Sequence, residues 1–447
     1  MKKTALFNIL ALLFFYQAFT QSNEVKIDSL ITAYARINKF NGSALIKMNN
    51  KIIFKKSYGL SDVTSKNKIN DESVFMIGSL TKTFTSAIVL KLIENNQLSL
   101  QDKLNQFFPN YPNGDKITIE NLLTHTSGVY EILDNPEFYK NNLETKTNSY
   151  NLLSYFIEKP LSFEPGTKFM YSNSGYILLG LIIEKITGST YGEILHKWIF
   201  KPFNMKNSGY DFVKLSNENK AVGYSHLSKL KSTKAVMWDS SYLYSSGSIF
   251  STINDLNKWQ LVLSKNKFLN KSTITNAYQP FTKEYGYGWF LDTFYDKKVI
   301  SHGGNLDGFT SYFVQVPENK ITIILLNNIT NTKLENIGNT IISILLNKPY
   351  NTPRPPKAML LDELTIQKLT GTYDVSSNYQ VQVLREEKHL FYKVNDDAKI
   401  EIYAKNENTF FMKDDDTEIV FVKDDDGNTR KIIIKQGLSN KIGDKVK

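Results

Sequence analysis

Pro349, Pro353, Pro355 and Pro356 fall within residues 347–357, and they constrain the fold of this chain more than any other feature. Proline fixes φ and has no N–H to give to a helix or a strand ladder. A cluster this dense reads as an extended linker. The character of the sequence changes across it. Before it, strand-like and helix-like segments alternate. Beyond it, strand-like runs dominate, at 379–384, 390–394, 400–403, 409–412, 418–422 and 431–434. Acidic stretches at 396–397, 414–416 and 424–427 fall between these runs, where such residues turn hairpins and keep strand edges soluble.

The part before the linker opens with an amphipathic helix over 25–35. Apolar, β-rich runs at 42–48 and 51–58 flank Asn49-Asn50 and predict a hairpin. Residues 79–95 have helical apolar spacing through Phe84, Ile88, Val89, Leu92 and Ile93. From 98 to about 259 the pattern is mainly helical with long loops. Strands return at 299–301, 311–316 and 321–326, and a helix over 335–346 closes the region. A chain of 447 residues has material for a large core and for two or more domains.

Charge and cysteine content narrow the function classes. The formal net charge is +10, from 54 Lys+Arg against 44 Asp+Glu. No block of about five or more like charges and no aromatic-interleaved basic stripe accompanies it, which argues against a nucleic-acid partner. The absence of cysteine removes disulfides, thiolate nucleophiles, cysteine metal sites and a lipid-anchored cysteine. At the N-terminus, Lys2 and Lys3 precede a short apolar run at 5–18, and Ala18-Phe19-Thr20 leads to Gln21. This is the pattern of a secretory signal over residues 1–20. The run is shorter than the roughly 20 apolar residues of a membrane span. The mature chain is therefore expected to be secreted or periplasmic, with no stable membrane span.

Three short motifs carry the chemistry. Ser-x-x-Lys recurs at Ser65/Lys68, Ser79/Lys82, Ser228/Lys231 and Ser264/Lys267, so the spacing alone means little. Only Ser79 opens a long apolar helix. There, three-residue spacing sets Ser79 and Lys82 on one face, about 5–6 Å apart at Cβ. Free N–H groups at the helix start face the serine. Burial would lower the lysine pKa and let a neutral amine take the serine proton. Tyr-x-Asn is equally common, at Tyr111/Asn113, Tyr139/Asn141 and Tyr171/Asn173. The last pair follows a Pro165-Gly166 turn and precedes a helix over 176–186, so a loop can project Tyr171 and Asn173 into a cleft. A phenol beside a lysine ammonium can ionise and shuttle protons, and Asn173 can bind a substrate carbonyl. His302-Gly303-Gly304 ends the strand at 299–301, where paired glycines let a substrate backbone lie close. The N–H of Asn305 and that of Ser79 are candidate oxyanion donors. Metal binding at His302 is disfavoured, because no second ligand has suitable spacing.

These motifs, in this order, resemble the serine β-lactamase and penicillin-binding-protein superfamily, and within it the class C-like branch of D-alanyl-D-alanine carboxypeptidases, D-aminopeptidases and esterases. Further resemblance lies in Tyr58-Gly59-Leu60-Ser61-Asp62, in the segments 75–85 and 117–128, and in Ser246-Gly247-Ser248 with the residues to Leu256. It covers roughly residues 25–346. It implies an α/β (α+β) fold: an antiparallel sheet flanked by helices, with a mainly helical lobe. It assigns Ser79 as nucleophile, Lys82 and Tyr171 as proton-transfer partners, Asn173 as a substrate or network residue, and His302, Gly303, Gly304 and Asn305 as the substrate-binding edge. His125 is implied to orient the loop through a hydrogen bond. No metal or organic cofactor is implied. The expected partner is a small-molecule or peptide substrate, peptidoglycan-derived fragments included.

Many β-lactamases have Lys-Thr-Gly where this chain has His302-Gly303-Gly304. A histidine is a weaker fixed charge near neutral pH, and Gly303 supplies no hydroxyl. The departure leans toward ester, amide or D-amino-acid peptide substrates over β-lactams. A second reading is a penicillin-binding sensor that acylates without efficient turnover. The intact Ser79, Lys82, Tyr171 and His302 set argues against it. Beyond the linker, Leu369-Thr370-Gly371-Thr372-Tyr373 and the short strands resemble a lipocalin-like β-barrel appended to some of these hydrolases. The expected organisation is a signal peptide at 1–20, a β-lactamase-like hydrolase domain at 24–346, a linker at 347–358 and a small antiparallel β-barrel domain at 359–447.

Overall fold

The computed structural model describes residues 21–446 apart from 229–230, 282–283, 331, 354–356, 377–378, 413–416 and 437–438. The signal expected at 1–20, Pro355 and Pro356 of the linker, and the acidic run at 414–416 lie outside the described residues.

Helix α1 (Asn23–Arg36) is capped by the Ser22 side chain and precedes strands β1 (Gly42–Met48) and β2 (Lys51–Ser57). The two strands form the expected hairpin. Asn49 and Asn50 turn it with φ of 50° and 63°, the left-handed pair that matches the twist of a two-residue hairpin. The helical region then contributes α2 (Thr81–Glu94), α3 (Asn173–Thr187), α4 (Ser240–Gly247) and α5 (Ile253–Ser264). Strands β3 (Phe290–Phe294), β4 (Lys297–Leu306), β5 (Phe309–Val316) and β6 (Ile321–Asn327) follow, and α6 (Leu334–Leu345) closes the unit.

The six strands form one antiparallel sheet in the order β2-β1-β6-β5-β4-β3. Its centre joins the two ends of the unit, because β1 pairs with β6 from Gly42↔Asn327 to Met48↔Ile321. All seven residues of β6 are buried, which follows from helices on both faces. Leu45, Ile324 and Leu326 point into the core shared with α2, α3 and α5, while Ala44, Ile46, Ile323 and Leu325 pack with Ile27 and Ile31 of α1 and Ile337 and Ile341 of α6. The period-2 alternation of the strands thus divides two cores.

Beyond α6, a short helix α7 (Glu363–Leu369) leads into eight strands: β7 (Gly371–Ser376), β8 (Tyr379–Glu386), β9 (His389–Val394), β10 (Ile400–Ala404), β11 (Thr409–Phe411), β12 (Glu418–Lys423), β13 (Thr429–Gln436) and β14 (Ser439–Lys445). They close into an antiparallel barrel, with β7 meeting β14 at Tyr373↔Lys445. Tyr373, Val383, Leu390, Phe410, Phe421 and Ile432 belong to its buried core. Among the described residues no helix is long and apolar enough to cross a membrane.

Elements on both sides of the linker differ from the sequence expectation. The strand expected over 299–301 runs from Lys297 to Leu306, so His302-Gly303-Gly304 lies within the ladder and does not end it. Pairing of Gly303 with Tyr312 and Gly304 with Ser311 supplies the order that glycine lacks locally. Strand β3 was not expected, and neither was β14. In β14 the sole large apolar residue, Ile442, is 55% exposed, so the strand forms by pairing with β13 and β7 and carries no alternating signal of its own.

Phe84 of α2 is fully buried and stacks on Trp259 of α5, ring centroids 4.5 Å apart. Phe84→Ala should cost about 3–5 kcal/mol of unfolding free energy in urea titrations. A loss below about 1 kcal/mol would show that this contact does not hold α2 in place.

Candidate active site

Ser79 sits in a 3₁₀ turn (Gly78–Leu80) that runs directly into α2. Gly78 takes φ +53°, and a Cβ there would meet the Asn305 nitrogen at 3.1 Å and Gly304 Cα at 3.2 Å. Both the left-handed backbone and the close approach require glycine. Ser311 Oγ donates to the Ile77 carbonyl at 2.7 Å. The serine turn is thereby pinned to the sheet, with the Asn305 amide beside it. Ser79 stays half-buried at the surface of a cleft while the following residues, Leu80 to Leu90, are buried.

Lys82 lies one helical step below and is fully buried. Its Nζ is 3.1 Å from Ser79 Oγ, 2.7 Å from Asn173 Oδ1 and 2.9 Å from the Ser246 carbonyl. Burial lowers the lysine pKa to about 7, against the opposing pull of the Glu131 carboxylate. Two of the three partners are acceptors only. A neutral amine has two N–H bonds, which these acceptors take, and its lone pair then faces the Ser79 hydroxyl. The Ser246 carbonyl reaches the amine because α4 breaks at Tyr244, with φ 41° and ψ −137°. Such a conformation costs of order 1–3 kcal/mol in a non-glycine residue and is held only where surroundings enforce it. Here the next carbonyl, of Ser245, accepts from Thr85 Oγ1 at 2.7 Å.

Tyr171 precedes α3, whose N-cap is Ser172 and whose first residue is Asn173. The helix therefore starts three residues earlier than the sequence pattern indicates. The Tyr171 phenol hydrogen-bonds Ser79, and Lys82 Nζ lies 4.8 Å from its ring centroid. The expectation that this phenol ionises is corrected: burial outweighs the Ser79 hydrogen bond and raises its pKa, so the phenol stays protonated. His125 has the orienting place expected of it. Its Nδ1 accepts from the Ser172 N–H at 3.0 Å, its carbonyl accepts from the Met170 N–H at 2.9 Å, and its ring lies against Tyr171 at 4.2 Å between centroids.

His302 is 1% exposed and has no free donor. Its Nδ1 lies 2.7 Å from the Gly303 carbonyl, to which it donates, and its Nε2 then accepts from Tyr285 Oη at 3.1 Å. Burial, aided by Lys82, drives its pKa down to about 3. The expectation of a substrate-facing hydrogen bond from this ring is corrected, because both nitrogens are engaged inside the protein. Gly303, Gly304 and Asn305 carry the strand edge past Ser79. Tyr285, expected on a pocket loop, is fully buried behind His302.

Two clefts meet at Ser79 and Asn305. One, of about 620 Å³, is walled by Ile132, Leu133, Ile177, Trp238, Tyr242 and Leu306. The other, of about 720 Å³, runs along β4 past Tyr171, Gly303 and Gly304 to Asp292, Lys333 and Glu335. Sequence reasoning missed Glu131, which is 9% exposed and bonds both the backbone N–H (2.6 Å) and the side-chain Nδ2 (2.8 Å) of Asn173. No spacing rule connects positions 131 and 173. Among the described residues no group of three or more His, Asp or Glu is placed to hold a metal ion.

A polarised serine on a helix start, a buried amine beneath it and a sheet edge alongside define the serine-hydrolase class of α/β proteins. The sequence profile of the family described as Beta-lactamase matches residues 27–359, and the chain belongs to this β-lactamase and penicillin-binding-protein family of serine hydrolases. It is 26% identical to penicillin-binding protein 4* of Bacillus subtilis (strain 168) over 445 residues, covering 93% of this chain and 98% of that one. In fold it is similar to an octameric penicillin-binding protein homologue from Pyrococcus abyssi (TM-score 0.65, 24% identity, 93% of this chain and 99% of that one). It is also similar in fold to the D-amino acid amidase from Ochrobactrum anthropi SV3 (TM-score 0.62, 20% identity, 72% and 97%).

The two strand glycines separate by experiment. A Cβ at Gly304 would meet the Ile77 carbonyl at 1.9 Å, whereas one at Gly303 meets nothing closer than 3.4 Å. Gly304→Ala should lower unfolding free energy by about 1–3 kcal/mol, and Gly303→Ala should stay within about 0.5 kcal/mol of the parent. Equal losses in urea titration would mean that β4 does not press on the Ser79 turn.

Proposed function

We propose that this protein is an exported serine hydrolase that forms an acyl-enzyme at Ser79 and cleaves amide or ester bonds, with D-amino-acid peptides and small esters as the substrate class. The observation that carries the reading is the Lys82 amine. Asn173 Oδ1 and the Ser246 carbonyl take its two N–H bonds and leave its lone pair toward Ser79 Oγ at 3.1 Å.

The steps follow from that geometry. Ser79 Oγ adds to the substrate carbonyl carbon while its proton passes to Lys82 Nζ. The Ser79 and Asn305 amides stabilise the resulting oxyanion. The lysine ammonium, through the neutral Tyr171 phenol, returns the proton to the leaving nitrogen or oxygen as its bond to carbon breaks. Water then adds to the acyl ester, gives its proton to the same pair, and Ser79 recovers its hydrogen as the acid departs. The substrate class is supported by the neutral, internally bonded His302, which offers no fixed cation for a β-lactam carboxylate. It also accords with the amidase named among the similar folds. Export rests on Lys2, Lys3 and the apolar run at 5–18, and the mature chain is expected to begin at Gln21 in N-terminal sequencing of the secreted protein.

A fluorophosphonate probe should label the wild-type chain at Ser79 and leave Ser79→Ala unlabelled. Turnover of p-nitrophenyl esters or D-amino-acid amides should fall roughly a hundredfold or more in Lys82→Ala. Because the neutral amine is the reactive form, the labelling rate should rise with pH through the lysine pKa of about 7 and level off above it. Labelling elsewhere, or a rate that does not change between about pH 6 and 8, overturns the mechanism. Stoichiometric labelling without turnover makes the protein a sensor.

A further inference from the structure

The amine of Lys82 faces Ser79 with its lone pair only while Asn173 presents oxygen, not nitrogen, to it. A carboxamide has one end of each kind, and a flip exchanges them. The Asn173 side chain alone does not choose. Glu131 does: its Oε1 accepts from Asn173 Nδ2 at 2.8 Å, and a carboxylate has no hydrogen to give. Its second oxygen accepts the Asn173 backbone N–H at 2.6 Å, an N–H left without a partner by the helix start. The carboxylate is itself held. It caps the turn Ile132–Asp134 by accepting from the Leu133 N–H at 3.3 Å, and the Ile132 N–H donates to Ser174 Oγ at 2.8 Å. Three neighbouring bonds, two from Asn173 to Glu131 and one from Ile132 to Ser174, thus tie residues 131–132 to the first turn of α3.

We propose that Glu131 is a positioning residue of this site, fixing the Asn173 carboxamide in the one orientation that makes Lys82 a donor toward Asn173 and an acceptor toward Ser79. The proposal rests on the acyl-enzyme reading above. It requires two acceptor oxygens at once, which glutamine cannot supply. In Glu131→Gln one contact becomes N–H against N–H, and either the Asn173 side chain flips or its backbone N–H loses its partner.

The carboxylate also acts through charge. The groups facing Lys82 are Tyr171 and Tyr176, whose rings lie 4.8 and 5.5 Å from Nζ, together with His125, His302 and Glu131. Burial holds both tyrosines protonated and both histidines neutral. Glu131 is the charge in this set, and it favours the ammonium form of Lys82. Removing it lowers the lysine pKa, so the acid limb of the rate profile moves to lower pH.

The test compares wild type with Glu131→Gln on a p-nitrophenyl ester across pH. Rates are normalised to the serine titrated by a fluorophosphonate, so that only folded molecules are counted. The expected result is a normalised kcat lower by about tenfold or more, little change in KM, and an acid limb displaced downward. A normalised kcat within about twofold of wild type, or a limb that does not move, overturns the role of Glu131. A wild-type chain that the probe does not label at Ser79 fails the acyl-enzyme reading instead, and the two failures are distinct.

Discussion

The burial of one amine organises this molecule. Lys82 has no exposed surface, yet it carries a group that water would solvate strongly. Such a group persists inside a protein only if hydrogen-bond partners replace the water, and three elements far apart in sequence do so. The turn before α2 brings Ser79, the first residue of α3 brings Asn173, and the broken helix α4 brings the Ser246 carbonyl. Each approaches from a different side. The packing of these helices against one another is therefore also the geometry of the site, and a shift of any of them leaves a buried polar group without its partner.

The sheet supplies the fourth side. Its central pairing joins β1 to β6 and holds the two ends of the unit together, which places β5 and β4 beside the serine turn. Gly78 and Gly304 then let two backbones pass at a distance that no side chain permits. His302 completes the strand inwardly. Its ring locks onto the Gly303 carbonyl and Tyr285, and it stays uncharged next to Lys82. A lysine at this place would set a second cation near the first. With a neutral ring, burial alone lowers the pKa of Lys82, and the strand edge is left to its backbone groups.

Much of this was legible in the sequence, and the gaps have physical causes. The hairpin around Asn49-Asn50, helix α2 and the barrel strands with alternating apolar residues announce themselves through local period and turn chemistry. The Ser79, Lys82, Tyr171 and Asn173 cluster was read from motifs whose members sit on element starts. What stayed hidden depends on partners remote in the chain. Strand β14 has almost no apolar face and exists because β7 and β13 offer it ladders. The continuation of β4 through two glycines is likewise set by β5. The kink at Tyr244 and the contact of Glu131 with Asn173 leave no periodic trace, because each is enforced by tertiary packing.

The titratable groups around the amine follow a single rule. Burial pushes the phenols toward their protonated form and the imidazoles toward their neutral one, and His125, His302, Tyr171, Tyr176 and Tyr285 all shift in that direction. Four of these rings, His125, His302, Tyr171 and Tyr176, therefore face Lys82 without contributing charge, and Tyr285 lies behind His302. What remains is one amine able to gain or lose a proton near neutral pH and one carboxylate, Glu131, that biases the choice. A site built this way leaves Lys82, in contact with Ser79 Oγ, as the group whose protonation changes near neutral pH. Its aromatic wall fixes positions and excludes water, and the chemistry falls to the few polar atoms that the wall leaves facing one another.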